Sequence, residues 1–202
     1  MKIFFVALLF FMIGGCVSVL PDAPPASARY FITDINRTST DRAPVAWTLS
    51  IEDPSATRAL DTTKIAVSRT SGKIEYYSGG EWSDRAPRLF GSALVRSFEN
   101  SGQILGVGSR VSLPLSDFIL QTDIRDLHTV RSGKDVVVTT TVYARLTDGR
   151  STIYAAQLFS KQSVLADEVS ERVAQRIDNN VAEIMSDIID WTFQEGSAAY
   201  AK

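Results

Sequence analysis

Few residues in this chain of 202 could do covalent or acid–base chemistry, and their scarcity is informative. There is one cysteine, Cys16, and one histidine, His128. A single thiol cannot close an intramolecular disulfide, so the fold must be held by packing. One imidazole falls short of the several N, S or O ligands of a usual metal site. It also leaves little room for a Ser-His-acid triad, and no Gly-x-Ser-x-Gly elbow is present. His128 follows a strand pattern near Asp126 and reads as a solvated or edge-strand side chain. Gly79-Gly80 and Gly106-Val107-Gly108 complete neither a phosphate loop nor a dinucleotide fingerprint. Asp53 with Asp61, or Asp123 with Asp126, could be read as paired carboxylates. Acids at strand ends, however, are mostly surface charges. The sequence therefore points away from an enzyme: no catalytic residue, no metal and no cofactor is expected.

Cys16 gains its meaning from what precedes it. Met1-Lys2 is followed by an unbroken apolar run of 11 residues, Ile3 to Ile13, then Gly14-Gly15. That run is too short for the roughly 20 residues of a permanent membrane helix. A charged start, a short apolar core and small residues make a secretory signal. Ile13-Gly14-Gly15-Cys16 resembles the bacterial lipobox, whose usual form is Leu-Ala/Ser-Gly/Ala-Cys; Ile replaces Leu here. The resemblance implies that residues 1–15 are a lipoprotein signal peptide and that Cys16 is diacylglycerylated and then N-acylated, typically with palmitate. Each buried methylene adds about 0.8 kcal/mol of membrane affinity, so three chains would anchor the protein firmly. Val17 and Ser18 replace the Asp that holds enterobacterial lipoproteins at the inner membrane, which favours the outer membrane. An ordinary secretory signal with an incidental cysteine is the alternative.

The other suggestive group is aromatic. Tyr76, Tyr77 and Trp82 flank Gly79-Gly80, read as a turn, just before a helix. Aromatic side chains around a turn either plug the core or anchor a partner. The partner-binding reading assigns that role to Tyr76, Tyr77 and Trp82, with the start of the adjoining helix.

The elements that must position these residues follow from periodicity. Residues 16–29 form a lipidated cysteine plus a Pro-rich tether, with Pro21, Pro24 and Pro25 among small residues. The folded domain is placed at 30–195, with a C-terminal tail at 196–202. Tyr30–Ile35 reads as a short strand, and Val45, Trp47, Leu49 and Ile51 alternate as a half-buried one that Asp53-Pro54 ends. Short strands follow around Ile65–Val67 and Lys73–Tyr77. A helix of about 84–101 has Ser83 or Asp84 as its cap, Pro87 in its first turn and Gly102 at its end. Ile104–Gly108 is a further short strand. Alternation over 117–162, broken by Ser132-Gly133-Lys134-Asp135 and Thr147-Asp148-Gly149-Arg150, predicts a three-stranded antiparallel meander. From Asp167 to about Glu195, Val173, Ile177, Val181, Ile184 and Ile188 form one stripe. The expected fold is α+β: a single domain, mostly antiparallel sheet with a β-meander, covered by two helices (about 84–101 and 167–195).

Composition agrees with one ordered domain. Removing residues 1–15 leaves 187, and takes one Lys and no acid, so the net charge moves from −2 to −3. The chain is 45% hydrophobic, enough for a full core. It has no basic run that would mark a nucleic-acid partner.

Leu60-Asp61-Thr62-Thr63-Lys64-Ile65-Ala66-Val67, then Ile74-Glu75-Tyr76-Tyr77, Trp82, Pro87, Leu89 and a helix ending at Gly102 form a recognisable succession. It resembles the ABC-type transport auxiliary lipoproteins, including the PqiC-like proteins that accompany MCE-domain lipid transporters. Lipobox, tether and final helix share the resemblance; Ser83-Asp84-Arg85-Ala86 is longer than in many relatives. The resemblance implies a non-enzymatic, lipid-anchored periplasmic accessory subunit of an ABC/MCE intermembrane lipid transport system. Its implied partners are an MCE-domain protein and the ABC permease/ATPase, with the membrane held through the anchor. Some members form rings, so a homo-oligomeric ring is a further implication. Two other roles stay open on the residues alone: a lipoprotein that binds and regulates a cell-wall synthase or another envelope assembly, and an envelope hydrolase.

Overall fold

The computed structural model describes residues 27–36, 43–70, 72–133, 135–150 and 152–202. Residues 1–15, Cys16 and the tether up to residue 26 lie outside them. Among the described residues nine strands and two helices follow in order: β1 (Ala28–Tyr30), β2 (Val45–Ile51), β3 (Ser55–Ala56), β4 (Lys64–Thr70), β5 (Lys73–Trp82), α1 (Ala86–Ser101), β6 (Ile104–Ser109), β7 (Phe118–Ser132), β8 (Asp135–Thr147), β9 (Ile153–Leu165) and α2 (Ser170–Tyr200).

The meander dominates the single α+β sheet. β7 and β8 pair antiparallel through 13 residue pairs and β8 and β9 through 12, with Gly133 at φ 64 and Gly149 at φ 72 in the two loops. Positive φ is cheap only for glycine, which is why the loops fall there. On β8, Val136, Val138, Val142, Ala144 and Leu146 are buried, so the alternation read from sequence is the alternation of the sheet. The N-terminal strands join differently. β2, β3 and β4 each pair parallel with successive stretches of β7. β6 adds parallel to β2, and β1 adds parallel to β5.

Both expected helices form, with shifted ends. α1 begins at Ala86 after Arg85, without a side-chain cap. Asp84 Oδ1 instead accepts the Arg85 N–H at 2.7 Å. Pro87 stands in the first turn, and Gly102, at φ 63, closes the helix by donating to Glu99 O at 3.1 Å. Phe90, Ala93, Leu94, Ser97 and Phe98 are its buried stripe. α2 starts at Ser170, because Asp167 is occupied: it accepts from the Val169 N–H and from both Nε and Nη2 of Arg172. It runs to Tyr200, so most of the expected 196–202 tail is helix. Gly196 is buried there, and a Cβ on it would stand 2.9 Å from the Trp47 ring.

Two strand readings need correction. The expected strand at Tyr30–Ile35 is instead β1, which ends at Tyr30 and begins two residues inside the expected tether. Gly79-Gly80 is not a turn: β5 continues through it to Trp82. Glycine is needed because the β1 strand lies alongside: a Cβ at Gly80 would overlap the Tyr30 ring. One at Gly79 would stand 2.8 Å from Ser170 Oγ at the head of α2.

The core fills the space between the sheet and the helices. Trp47, Leu49 and Ile51 of β2, Phe90 and Phe98 of α1, and Ile177, Ile184 and Ile188 of α2 belong to one cluster. Phe193 joins it through Trp47, with ring centroids 5.7 Å apart, and through Phe98, at 5.9 Å.

Candidate functional site: an aromatic cleft at the head of the long helix

β5 is pulled out of simple alternation before it reaches Trp82. Lys64 pairs with Glu81 and Ala66 with Tyr76, so four residues of β5 face one of β4. Such a bulge bends the strand and re-aims its side chains. Tyr76 points outward, 39% exposed; its hydroxyl donates to Ala59 O at 3.2 Å, and Lys64 Nζ lies 5.5 Å from its ring centroid. Tyr77 is half-buried, with its hydroxyl 2.8 Å from Thr129 Oγ1. Burial pushes its phenol above the ordinary value, and the Thr129 hydrogen bond opposes this only in part.

Trp82 does not join them. It is 2% exposed and part of the core, and its backbone N–H donates to Thr63 O at 2.7 Å. Of the three aromatic residues singled out, Tyr76 and Tyr77 share a cleft, and Trp82 is a plug beneath the start of α1. Strand parity places it inside: β5 buries Gly80 and Trp82 alike once the bulge has passed.

The cleft has a volume of about 600 Å³, open to solvent, between β5 and the head of α2. Its floor is charged. Glu168 lies between two guanidinium groups, 3.0 Å from Arg131 Nε and 3.6 Å from Arg69 Nη2. Arg69 also reaches Glu75 at 3.2 Å. Glu75 is held below the usual carboxylate range mainly by its hydrogen bond from Lys73 and that lysine's charge, with Arg69 adding less. These pairs are largely exposed, and such pairs contribute about 0–1 kcal/mol each. They shape the rim more than they stabilise the fold.

Sequence reasoning missed this charged floor. Arg69, Arg131 and Glu168 come from β4, β7 and the approach to α2, so no local spacing links them. The paired-carboxylate candidates take other partners. Asp61 is paired with Arg85, Asp123 accepts from Ser55 at 2.9 Å, and Asp126 lies 3.8 Å from His128 Nδ1. His128 is more enclosed than a solvated side chain, 17% exposed between β4 and β8. Among the described residues no three His, Cys, Asp or Glu side chains gather as a metal site. Nor is any helix among them long and apolar enough to cross a membrane.

Fold and cleft together define a class: a one-sheet α+β domain that presents shallow polar-aromatic grooves. Residues 31–189 match the family described as the ABC-type transport auxiliary lipoprotein component, and the chain belongs to that family. Among solved structures it is similar to protein XCC0632 from Xanthomonas campestris, at 24% identity and TM-score 0.78, over 87% of this chain and 100% of that one. It is also similar to an uncharacterized protein, at 14% identity and TM-score 0.64, over 81% of this chain and 97% of that one. At these identities the likeness is one of fold. No curated protein matches the chain.

Proposed function

We propose that this protein is a non-enzymatic accessory subunit of an ABC/MCE-type intermembrane lipid transport system. It is anchored by lipid at Cys16, faces the periplasm and docks the transport assembly at the outer membrane. The observation that carries the reading is the family match over 31–189, nearly the whole described domain, in a chain whose sole thiol follows a short apolar signal. The ATP-driven work belongs to a separate cytoplasmic subunit, and the contribution of this chain is recognition. Its contact surface on this reading is the cleft of Tyr76 and Tyr77 at the head of α2.

The test is a crosslinked pull-down of the tagged, lipidated protein from native membranes. Recovery of an MCE-domain protein with its permease is expected. Recovery of a cell-wall synthase without any transporter component would replace the proposal with the envelope-regulator reading. In the same experiment Tyr76→Ala, which removes an exposed ring without opening the core, is expected to reduce partner recovery about tenfold, the scale of an interface anchor. Unchanged recovery would remove the cleft from the contact surface and leave the transport role standing.

A further inference from the structure

β6 forms the end of the sheet opposite β1. Among the described residues it pairs only with β2, so the N–H and C=O groups on its outer side have no strand beside them. Exposed edges are ordinarily blunted by charge, proline or a covering element. β6 has none of the first two: its residues are Ile-Leu-Gly-Val-Gly-Ser. The three most exposed large apolar side chains among the described residues lie on it or just after it. Leu105 is 69% exposed, and Val111 and Leu115 are each 88% exposed.

These side chains are carried by a fixed backbone. Leu113 N–H donates to Ser109 O at 2.8 Å, and Arg110 N–H to Ile51 O at 2.9 Å. Arg110 Nη1 donates to Pro114 O at 3.0 Å, which closes the loop on itself. A surface ordered in advance loses little entropy on binding. Beside the strand runs a groove of about 580 Å³. α1 gives one wall, with Arg88, Val95 and Glu99; Val107 and Leu113 give the other. Gly106 and Gly108 carry no side chain of their own; Ser112 and Leu113 pack over Gly108, which is buried, and Thr48 over Gly106.

We infer that β6 and α1 form a docking groove for an extended peptide segment of a partner protein, added to the sheet as a strand beside β6. A free strand edge asks for donors and acceptors at strand spacing, and a groove beside it takes alternate side chains. Lipid tails supply no such donors. Against a second copy of this chain, pairing β6 with itself about its midpoint opposes Leu105 to Gly108 and Ile104 to Ser109, so in that register its aliphatic side chains meet no aliphatic partner. The groove carries both signs, Arg88 and Arg96 against Glu52, Asp53 and Glu99, which suits a segment without strong net charge and with apolar residues for Leu105, Val111 and Leu115. The inference does not require the partner to be a transporter subunit.

The test places benzoylphenylalanine at Leu105, Val107 or Ser109 in turn, in the full-length lipidated protein in its native membranes. After irradiation, mass spectrometry locates each adduct. Strand addition predicts adducts on one partner protein, at positions that advance by two in a single direction as the probe advances by two. Adducts on a second copy of this chain, on lipid, at scattered positions, or at none would overturn the inference. Leu105→Asp, at an exposed position, is expected to leave the unfolding midpoint unchanged and to cut the Val107 adduct about tenfold, the loss typical of a charge buried against an apolar anchor site. An undiminished adduct with the fold intact would also overturn it.

Discussion

His128 is the only side chain here whose ordinary titration range lies near neutrality. Burial between β4 and β8 lowers its pKa, and the carboxylate of Asp126 opposes that shift only in part. The folded state therefore favours the neutral ring. As pH falls below the unfolded value of about 6.5, the unfolded chain takes up this proton first, and stability drops until the folded pKa is passed. Asp34, Glu75 and Asp167 have lowered values, each first through a hydrogen bond from a cationic partner (Arg96, Lys73 and Arg172), so their contributions are lost only at more acidic pH. Urea unfolding at pH 7.5 and 5.5 should show a loss of stability in the natural protein that His128→Gln largely abolishes. An equal loss in both would mean that the ring is not the group responsible. The position of His128 in a strand near Asp126 was legible in the sequence. Its enclosure was not, because the flanking strands place Ala66, 62 residues before it, and Thr139, across a hairpin after it, in register with it.

Elements were legible where the signal is local. The stripes of α1 and α2, the alternation of β8 and the two glycine loops of the meander all follow from neighbours within a few residues. The parallel pairings of β2, β3 and β4 with β7 were not, since parallel strands are joined by crossovers that leave no turn signature. Gly79-Gly80 shows the cost of local reading. Two adjacent glycines look like a turn, yet they are strand residues made small by what lies against them: Tyr30 on one and Ser170 on the other. A turn at this place would call for glycine through positive φ, which neither has; what they lack is room for a methyl group. Gly80→Ala is expected to cost about 1–3 kcal/mol in urea unfolding, as overpacking does. Pairing it with Tyr30→Ala should return part of that loss, a coupling of about 0.5–3 kcal/mol between touching residues. Additive losses in the double variant would separate the glycine from the ring.

At the scale of the molecule, the proposed function divides the labour between a lipid anchor at Cys16 and a packed domain. The core of the described residues runs through β2, β7, β8 and both helices, and the sole thiol, Cys16, lies outside those residues. Stability of the domain and attachment to the membrane should then respond to different substitutions. Cys16→Ser removes the acceptor for lipid and with it roughly 0.8 kcal/mol of membrane affinity for every methylene that would have been buried. Cell fractionation is expected to move the variant out of the membrane pellet or leave it as unprocessed precursor. Thermal unfolding of the variant in solution should match the detergent-solubilised natural protein within a few degrees, the scale of ~1 kcal/mol for a domain of this size. Retention of mature, processed variant at the membrane would show that the domain itself holds the surface, and would move attention from the lipid to the exposed apolar residues of the β6 edge. A large fall in the unfolding midpoint would instead mean that the anchor region and the domain are not independent. Because Gly80→Ala weakens the domain while leaving Cys16 in place, comparing the two variants separates these outcomes: one should lose the membrane and keep its fold, the other should keep the membrane and lose stability.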